Sequence, residues 1–249
     1  FDMAGGYGNI EKTFNLKAGS LRARVIGLIY PPMPAINIIS KKDLKLIQQC
    51  LFGIGDKKAL NIGSGAITGL GHRLWTKQDF ENVTHLDIEK GEDVDMVGDA
   101  HDLPFEKSVY DSVIMQAVVE HLHSPSIAIK EAFRILKKGG YLYLEVPFLQ
   151  GYHADPHDYQ RYTLNGLKKL TERYGATVLL GVSSGPFSFL VWWIRDFFSN
   201  ITSSRLINLI IRFILSWIFF PLKYLDLVFR NTESAKRLAC EYFILVKKN

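Results

Sequence analysis

Residues 98–147, GDAHDLPFEKSVYDSVIMQAVVEHLHSPSIAIKEAFRILKKGGYLYLEVP, decide the fold of this 249-residue chain. Two short apolar runs, at 111–116 and 141–146, have the length and composition of buried strands. Residues 125–136 between them repeat apolar side chains every three or four positions, as an amphipathic helix does. Strand, helix and strand in succession predict a β-α-β unit with parallel strands and a right-handed crossover.

The same alternation extends to both sides of this unit. Further strands are predicted at 59–62, 83–88, 95–99, 177–183 and 240–249, and further helices at 40–53 and 164–174, with Ser40 and Thr163 as N-caps. We therefore predict an α/β fold: a doubly wound, mostly parallel seven-stranded sheet with an apolar helical insertion before the last strand. The predicted parts are an N-terminal cap segment at 1–56, the core at 57–186, the insertion at 187–239 and the final core strand at 240–249.

The composition limits the class of protein. With 47% hydrophobic and 22% charged residues, the chain has the make-up of a folded globular protein. A net charge of +5 suits an anionic partner such as a membrane surface, and no nucleic-acid partner is predicted. Cys50 and Cys240 are too few and too far apart for a disulfide framework, which favours a reducing cytoplasm.

A glycine turn follows the first predicted strand. In ALNIGSGAITG (59–69), Gly63 and Gly65 let the chain turn tightly and let a ligand approach bare backbone. Asp87 ends the second predicted strand, where a carboxylate can accept both hydroxyls of a ribose. Thr68 stands where a dinucleotide fingerprint requires glycine, and no Gly-Lys-Ser/Thr follows as in a P-loop. The pattern predicts a nucleoside ligand, with a plain strand-to-helix turn as the alternative.

Short motifs within 98–147 carry a family resemblance. They are Asp99-Ala100 before Leu-Pro-Phe, Tyr110-Asp111 opening a strand, Glu120-His121-Leu122 before a proline, and Arg134-Ile-Leu-Lys-x-Gly-Gly before the next strand. On these motifs, residues 57–183 closely resemble the class I S-adenosylmethionine-dependent methyltransferases, especially their small-molecule branch. The resemblance implies a Rossmann-like fold, S-adenosylmethionine as the cofactor and methyl transfer as the activity.

The resemblance also assigns residues to the cofactor. Those for its methionine part and methyl group are Gly63, Ser64, Gly65 and Gln116; those for its ribose are Asp87 with Ile88 beside it; those for its adenine are Asp99 and Ala100. Two positions depart from the family pattern. Asn61 stands where the family usually has an acid, and Ile67 where it often has a third glycine.

The loop HADPHDYQRYT (153–163) follows the fifth predicted strand, so it should lie at the strand ends, over the acceptor of the methyl group. His153 and His157 are predicted as bases that take a hydroxyl proton, with His121 as a third. Arg161 would pair with an acidic group of the acceptor, and Tyr159 and Tyr162 would stack on a sugar ring. Asp155 and Asp158 complete the predicted substrate-binding set.

Two alternatives remain for this loop. One is a solvated loop without a ligand. The other is a divalent ion, because His153 and His157 are four residues apart, as zinc ligands on a helix are. Pro156 lies between them and disfavours a helix, so no metal ligands are predicted.

Residues 187–230 are abnormally apolar and aromatic. Their longest uncharged run, 213–222, is too short to span a membrane, and a lone spanning segment through Arg212 is disfavoured by its charge. Polar residues follow one helix face, at Arg205, Asn208, Arg212 and Ser216. The pattern predicts a pair of helices lying in a membrane interface. A dimer interface or a lid over the active site is the second interpretation, and plain core is the third.

The predicted function is methyl transfer from S-adenosylmethionine to a hydroxyl of a lipid-linked or membrane-presented sugar. The sugar rests on resemblance to methyltransferases that accompany surface-polysaccharide assembly. Alternatives are a quinone or polyprenyl-type lipid acceptor, a non-catalytic glycan- or lipid-binding module, and a nicotinamide-dependent oxidoreductase. The predicted partners are the acceptor, a membrane surface contacted by 187–230 and, as an alternative, a second copy in a homodimer. The predicted location is peripheral, on the cytoplasmic face of the membrane.

Overall fold

The computed structural model describes residues 33–53, 57–63, 83–91, 94–154 and 156–249. The strands are β1 (Ala59–Ile62), β2 (Val83–Asp87), β3 (Met96–Val97), β4 (Tyr110–Gln116), β5 (Leu136–Pro147), β6 (Gly175–Ser184) and β7 (Glu241–Lys248). They form one seven-stranded sheet in the order β3-β2-β1-β4-β5-β7-β6. Neighbours among β1 to β5 pair in parallel, and β7 runs antiparallel between β5 and β6. This confirms the predicted doubly wound, mostly parallel sheet.

The order of the strands reverses between β1 and β4, which lie side by side although two other strands separate them in the chain. In open α/β sheets, ligands bind outside the carboxyl ends of the strands at such a reversal. Gly63 follows β1 and Ala117 follows β4, so both stand at this edge of the sheet. The topology therefore places the predicted cofactor residues and the predicted acceptor loop on the same side.

The antiparallel strand β7 tests the alternative of a nicotinamide-dependent oxidoreductase. β7 pairs with β5 from Tyr141 opposite Lys247 to Pro147 opposite Glu241. A nicotinamide-dependent dehydrogenase domain has six parallel strands instead. The structure therefore excludes the oxidoreductase alternative.

Helices cover both faces of the sheet. On one face lies α1 (Lys41–Phe52), whose Ile47 and Leu51 pack against side chains of β4, β5 and β7. On the other face lie α2 (Pro125–Ile135) and α3 (Leu164–Thr171), which contribute to the larger core cluster. The predicted N-caps are confirmed, because the Ser40 and Thr163 side chains accept backbone N–H bonds from the first turns of α1 and α3.

The boundary between α2 and β5 differs from the prediction. The strand begins at Leu136 rather than at residue 141, and its pairing with β4 shifts register between Tyr110 and Ser112. Gly139 has a φ of +76°, which favours glycine. A Cβ on Gly140 would lie only 2.8 Å from the carbonyl oxygen of Asp111. The two glycines therefore allow the irregular first residues of β5 to pair with β4.

The insertion lies between β6 and β7, as predicted. It consists of α4 (Pro186–Phe198), α5 (Arg205–Phe219), a 3-10 turn (Phe220–Tyr224), α6 (Leu225–Phe229) and α7 (Glu233–Arg237). By length and composition, the 25 residues Arg205–Phe229 are long and apolar enough to cross a membrane. The uncharged run 213–222 therefore underestimates the length of this apolar helical segment, because Arg212 interrupts the uncharged sequence without interrupting the helix.

The polar stripe of α5 faces the protein. Asn208 Nδ2 donates to the carbonyl oxygen of Thr202 at 2.7 Å, Arg212 Nη2 lies 4.0 Å from Asp196 Oδ1 of α4, and Ser216 is buried. The exposed apolar side chains form what we call the outer face of α5: Leu206, Ile207, Leu209, Ile210, Phe213, Ile214, Trp217 and Ile218. A surface helix of a globular protein has the opposite orientation. The exposure of these side chains rules out the plain-core interpretation for this face.

Candidate functional site

The turn after β1 requires a glycine. Gly63 has a φ of +70°, a backbone conformation that side chains with a Cβ rarely adopt. A Cβ at this position would also lie 2.3 Å from Cγ2 of Val118, which follows β4. The first glycine of the predicted cofactor turn therefore brings the backbone of β1 against the end of β4. The other predicted residues of this turn, Ser64 and Gly65, lie outside the described residues.

The predicted ribose carboxylate stands at the same edge of the sheet. Asp87 ends β2 and is partly exposed, and its Oδ1 accepts the backbone N–H of Glu89 at 3.0 Å. This bond fixes one carboxylate oxygen while the side chain stays open to solvent. Ile88, beside it, is exposed and adds apolar surface next to the carboxylate.

The predicted adenine residues follow β3. Asp99 Oδ1 accepts the backbone N–H of His101 at 2.8 Å and lies 2.6 Å from His101 Nδ1. These hydrogen bonds, the backbone one first, outweigh the effect of burial and lower the pKa of Asp99, so the side chain is an anion at neutral pH. Ala100 is buried beside it. An exposed anion next to a buried small side chain suits a ring with an exocyclic amino group.

The end of β4 contains two features that the sequence analysis missed. Gln116 Nε2 donates to Glu145 Oε2 of β5 at 2.6 Å, so a buried carboxylate orients the amide predicted to face the methyl group. Ala117, the next residue, has a φ of +50°. Strained backbone of this kind concentrates at functional sites. The sequence signal for Glu145 was an acid inside an otherwise apolar strand.

Glu120, His121 and His153 form a cluster at the carboxyl ends of β4 and β5, which we call the Glu-His-His cluster. Glu120 Oε1 lies 3.7 Å from His121 Nε2 and 3.6 Å from His153 Nε2. The Glu120 side chain is fully buried, and neither of its oxygens has a hydrogen-bond partner among the described residues. The sequence predicts the two histidines as bases, whereas the glutamate that joins them is not among the predicted site residues.

The carboxylate controls the charge of His153. Burial disfavours a charged imidazole, but the nearby Glu120 carboxylate and the hydrogen bond between Nδ1 and the carbonyl oxygen of Gly151 outweigh burial, so the pKa of His153 is raised. The His153 side chain is only 5% exposed, against 16% for His121. His153 is therefore poorly placed to take a proton directly from an acceptor in solvent. His157, the other predicted base, is exposed and is not part of the cluster.

The acceptor loop is held by an internal ion pair. Arg161 donates to both oxygens of Asp158, with Nη2 2.6 Å from Oδ2, and also donates to the carbonyl oxygen of Gly151 at 2.9 Å. Burial alone would raise the pKa of Asp158, but the bonds from Arg161 and the His153 backbone lower it. Both predicted substrate residues thus already have partners that stabilise the loop.

The remaining predicted acceptor residues differ in exposure. Tyr159 is 54% exposed, so its ring is available to a ligand. Tyr162 is half-buried against the core, and burial together with the charge of Glu120 raises its pKa to about 12. Gln160, which was not predicted, donates to the carbonyl oxygens of Val119 and Leu122 and ties the loop to the end of β4. Asp155 lies outside the described residues.

The groups at this edge fit S-adenosylmethionine. Gly63 offers bare backbone beside the end of β4, where any side chain would collide with Val118. Asp87 and Asp99 offer carboxylates at the ends of the next two strands, and Gln116 offers an oriented amide. A row of hydrogen-bonding groups, two of them carboxylates, thus runs along the carboxyl edge from β3 to β4.

Known proteins support this interpretation. Residues 60–144 match a family described as a methyltransferase domain. Over 96 residues, the chain is 34% identical to the chloroplastic 2-methyl-6-phytyl-1,4-hydroquinone methyltransferase 2 of Oryza sativa subsp. japonica. That alignment covers 33% of this chain and 27% of the rice protein, so the similarity spans about a quarter of the relative.

Solved structures share the fold at low sequence identity. The [4+2]-cyclase SpnF superimposes with a TM-score of 0.53 and 13% identity, over 83% of this chain and 80% of the other. A Galdieria sulphuraria protein assigned as a sarcosine dimethylglycine methyltransferase has a TM-score of 0.50 and 12% identity, over 84% and 83% of the two chains. The domain family indicates S-adenosylmethionine as the methyl donor. Residues 60–144 therefore match a methyltransferase domain, and the order of the strands agrees with the fold of the solved methyltransferase-like structures.

Proposed function

We propose that the protein transfers a methyl group from S-adenosylmethionine to an oxygen of an acceptor that is presented at a membrane surface. The observation that carries this proposal is the joint position of the cofactor residues and the acceptor loop. Both stand at the carboxyl edge of the sheet, around the reversal between β1 and β4. The apolar outer face of α5 supports the membrane part of the proposal.

The chain's own residues bind and orient the reactants. When bound, S-adenosylmethionine supplies a methyl group on a positively charged sulfur. Gly63 would admit its methionine part, Asp87 would accept the ribose hydroxyls, and Asp99 would accept the adenine amino group. Gln116, oriented by Glu145, would face the methyl-bearing end. Because methyl transfer is a displacement at carbon, alignment of the two reactants accounts for much of the rate.

A hydroxyl acceptor must lose its proton as it attacks. Of the three histidines predicted as bases, His157 alone is exposed, whereas His121 and His153 turn their Nε2 atoms toward Glu120. An imidazole can accept a proton at neutral pH. We therefore assign proton removal to the His157 ring, and we assign positioning of the loop to Asp158 and Arg161.

The insertion supports attachment to one face of a membrane. A helix that crosses a bilayer alone is surrounded by lipid, but α5 has one face against α4, where Arg212 approaches Asp196. Its other face exposes isoleucine, leucine, phenylalanine and tryptophan side chains. This arrangement favours a helix lying in the interface, with the core on the cytoplasmic side. A homodimer that buries the same face is the competing arrangement.

Two acceptor classes have support. For a lipid-linked sugar, the exposed rings of Tyr152, just before the acceptor loop, and Tyr159, within it, could stack on a pyranose. For a prenyl-type hydroquinone, the support is the rice relative, whose name gives such an acceptor. Both acceptors carry a hydroxyl on a lipid, so the same membrane placement serves either one.

The test is transfer of a labelled methyl group. Purified protein, detergent or vesicles, and S-adenosylmethionine labelled on the methyl group are incubated with a polyprenyl-phosphate-linked sugar or with a prenyl hydroquinone. We expect label in the lipid phase with one of them, and loss of that label with His157→Ala, with His123→Ala as the neighbouring control. Label transfer to neither class would contradict the membrane-presented acceptor.

A further inference from the structure

The Glu-His-His cluster has the dimensions of a metal site. One donor atom from each of Glu120, His121 and His153 lies within 4.8 Å of the other two, and the glutamate-to-histidine distances are 3.7 and 3.6 Å. Zinc bonds of about 2.0–2.2 Å to nitrogen and oxygen give tetrahedral ligand-to-ligand edges of about 3.4 Å. The two glutamate edges need contractions of only a few tenths of an ångström to reach this length, and the histidine-to-histidine edge is no longer than 4.8 Å.

Both histidines already have the orientation of metal ligands. His121 Nδ1 is hydrogen-bonded to the carbonyl oxygen of His157, and His153 Nδ1 lies 2.9 Å from the carbonyl oxygen of Gly151. A carbonyl oxygen can only accept, so each Nδ1 carries a proton, and the neutral form of each ring has its lone pair on Nε2. Metal-bound histidines are held in this way, with the second ring nitrogen donating to a backbone carbonyl or a carboxylate.

The charge of the cluster favours a cation. The Glu120 carboxylate is fully buried and has no hydrogen bond to either oxygen within the described part of the chain. An uncompensated buried charge is costly, and buried charges are normally paired or bound to metal. Arg161, whose Nη2 lies 3.4 Å from His153 Nδ1, donates to both oxygens of Asp158 and to Gly151, so its charge is already neutralised. An ionised Glu120 with two neutral histidine ligands would give the cluster a net charge of −1, which a divalent cation would offset.

We propose that Glu120, His121 and His153 bind a divalent transition-metal ion, zinc being the best match to the ligand types and spacing. Three protein ligands leave at least one coordination position open, as in catalytic rather than structural zinc sites. The side chain of His121 is the most exposed of the three, so the open position faces the loop on that side. An oxygen ligand, water or the acceptor hydroxyl, completes the coordination.

The proposed metal site differs from the pair of zinc ligands, His153 and His157, that the sequence suggests as an alternative. His157, four residues after His153, contributes its backbone carbonyl oxygen and no ring nitrogen. Glu120 and His121 come instead from the turn after β4. Binding of the ion stands independently of the proposed function, whereas the acceptor as its oxygen ligand rests on that function.

The first experiment measures metal content and affinity in the full chain. Protein stripped with a chelator is titrated calorimetrically with zinc chloride, and the metal that remains after dialysis is counted by elemental mass spectrometry. We expect one ion per chain. Glu120→Gln removes the charge with little change of shape, and His121→Ala removes a partly exposed ligand, so each should lower the affinity at least about 100-fold. His123→Ala, an exposed histidine outside the cluster, should bind as the unchanged protein does.

A second measurement identifies the ligands directly. Cobalt(II) in place of zinc gives visible absorption whose intensity distinguishes four-coordinate from six-coordinate ions, and this spectrum should appear with the unchanged protein and His123→Ala only. Absence of stoichiometric metal, or full binding by both cluster variants, would overturn the site. Titration with S-adenosylmethionine in the same samples separates the two ideas. Cofactor binding without metal would leave the proposed function standing, and metal without cofactor binding would leave the site standing.

Discussion

Polar residues are usually exposed and apolar residues buried, and two regions depart from this in opposite directions. One is the carboxyl edge of the sheet with the loop 153–163, which we call the loop edge, and the other is the helical insertion. At the loop edge, Glu120 and His153 are charged or polar and almost entirely buried. In the insertion, Leu206 and Val228 are apolar and are 67% and 73% exposed. Either arrangement costs free energy unless a partner is present. The difference agrees with the partners that we propose: a cation at the loop edge, and an apolar phase at the insertion.

The largest expected effect is on membrane binding. Replacing both Ile210 and Ile214, each about half exposed on the outer face of α5, by glutamate should lower binding to anionic phospholipid vesicles. Full burial of an isoleucine contributes about 1.5–3 kcal/mol, and each of these is already half buried, so the loss for the two together should be about 10- to 100-fold. Co-sedimentation with vesicles measures it.

The matched control is an isoleucine of similar exposure on the core. Ile127→Glu on α2, 47% exposed, should leave vesicle binding unchanged. If the double variant sediments with vesicles as the unchanged protein does, the outer face of α5 does not contact lipid. A change from dimer to monomer in the double variant, with no vesicle binding by either protein, would support the dimer interface instead.

The second effect tests whether the buried charges of the loop edge stabilise the fold. Asp158→Asn leaves Arg161 without its carboxylate and should lower the free energy of unfolding by about 2–3 kcal/mol. This is below the 3–5 kcal/mol of a fully buried pair because Arg161 is partly exposed. Glu233→Gln breaks an ion pair with the same spacing, to Lys236, on the surface of the insertion. It should produce no measurable change in urea denaturation.

Equal effects of the two variants would contradict the comparison, because they would mean that the loop edge holds its charges no more tightly than open surface does. Asp158→Asn could also lower the free energy of unfolding by less than about 2 kcal/mol. Faster amide hydrogen exchange in the loop 153–163, measured without cofactor, would then locate the effect in the loop rather than in the sheet.

A smaller effect is expected for Gly63, which lets the end of β1 approach the end of β4. Gly63→Ala introduces a Cβ at a φ of +70° and 2.3 Å from Val118 Cγ2, so we expect a loss of about 2 kcal/mol in the free energy of unfolding. Gly151→Ala is the control, because a Cβ there meets nothing within 4 Å and Gly151 has no positive φ. Thermal unfolding of both variants measures the difference, and identical midpoints would show that the turn relaxes freely.

The sheet could be predicted because its information is local. Apolar runs, the helix between 125 and 136, and the N-caps at Ser40 and Thr163 depend on near neighbours in the chain. The Glu-His-His cluster could be predicted only in part. Its members come from two segments that are over thirty residues apart, and only the register of β4 and β5 brings them together. The partners of Asp158 and Arg161 were hidden for a similar reason, since a sequence does not tell whether two charges pair with each other or with a ligand.

For the insertion, the pattern within one helix could be predicted, but the orientation of that helix could not. The spacing of Arg205, Asn208, Arg212 and Ser216 predicted one polar face, and the structure contains it. Periodicity does not tell which face of the helix meets the core, because it is the same for either orientation. The contact between Arg212 and Asp196 supplies that missing fact.

The measurement that tests the central claim most directly is calorimetric titration of S-adenosylmethionine into the full chain, with Asp87→Ala and Glu89→Ala beside it. We predict one binding site, about 10- to 100-fold weaker binding by Asp87→Ala through loss of charged hydrogen bonds to the ribose, and unchanged binding by Glu89→Ala. Absence of binding by the unchanged protein would contradict the claim that this edge of the sheet is a methyltransferase site.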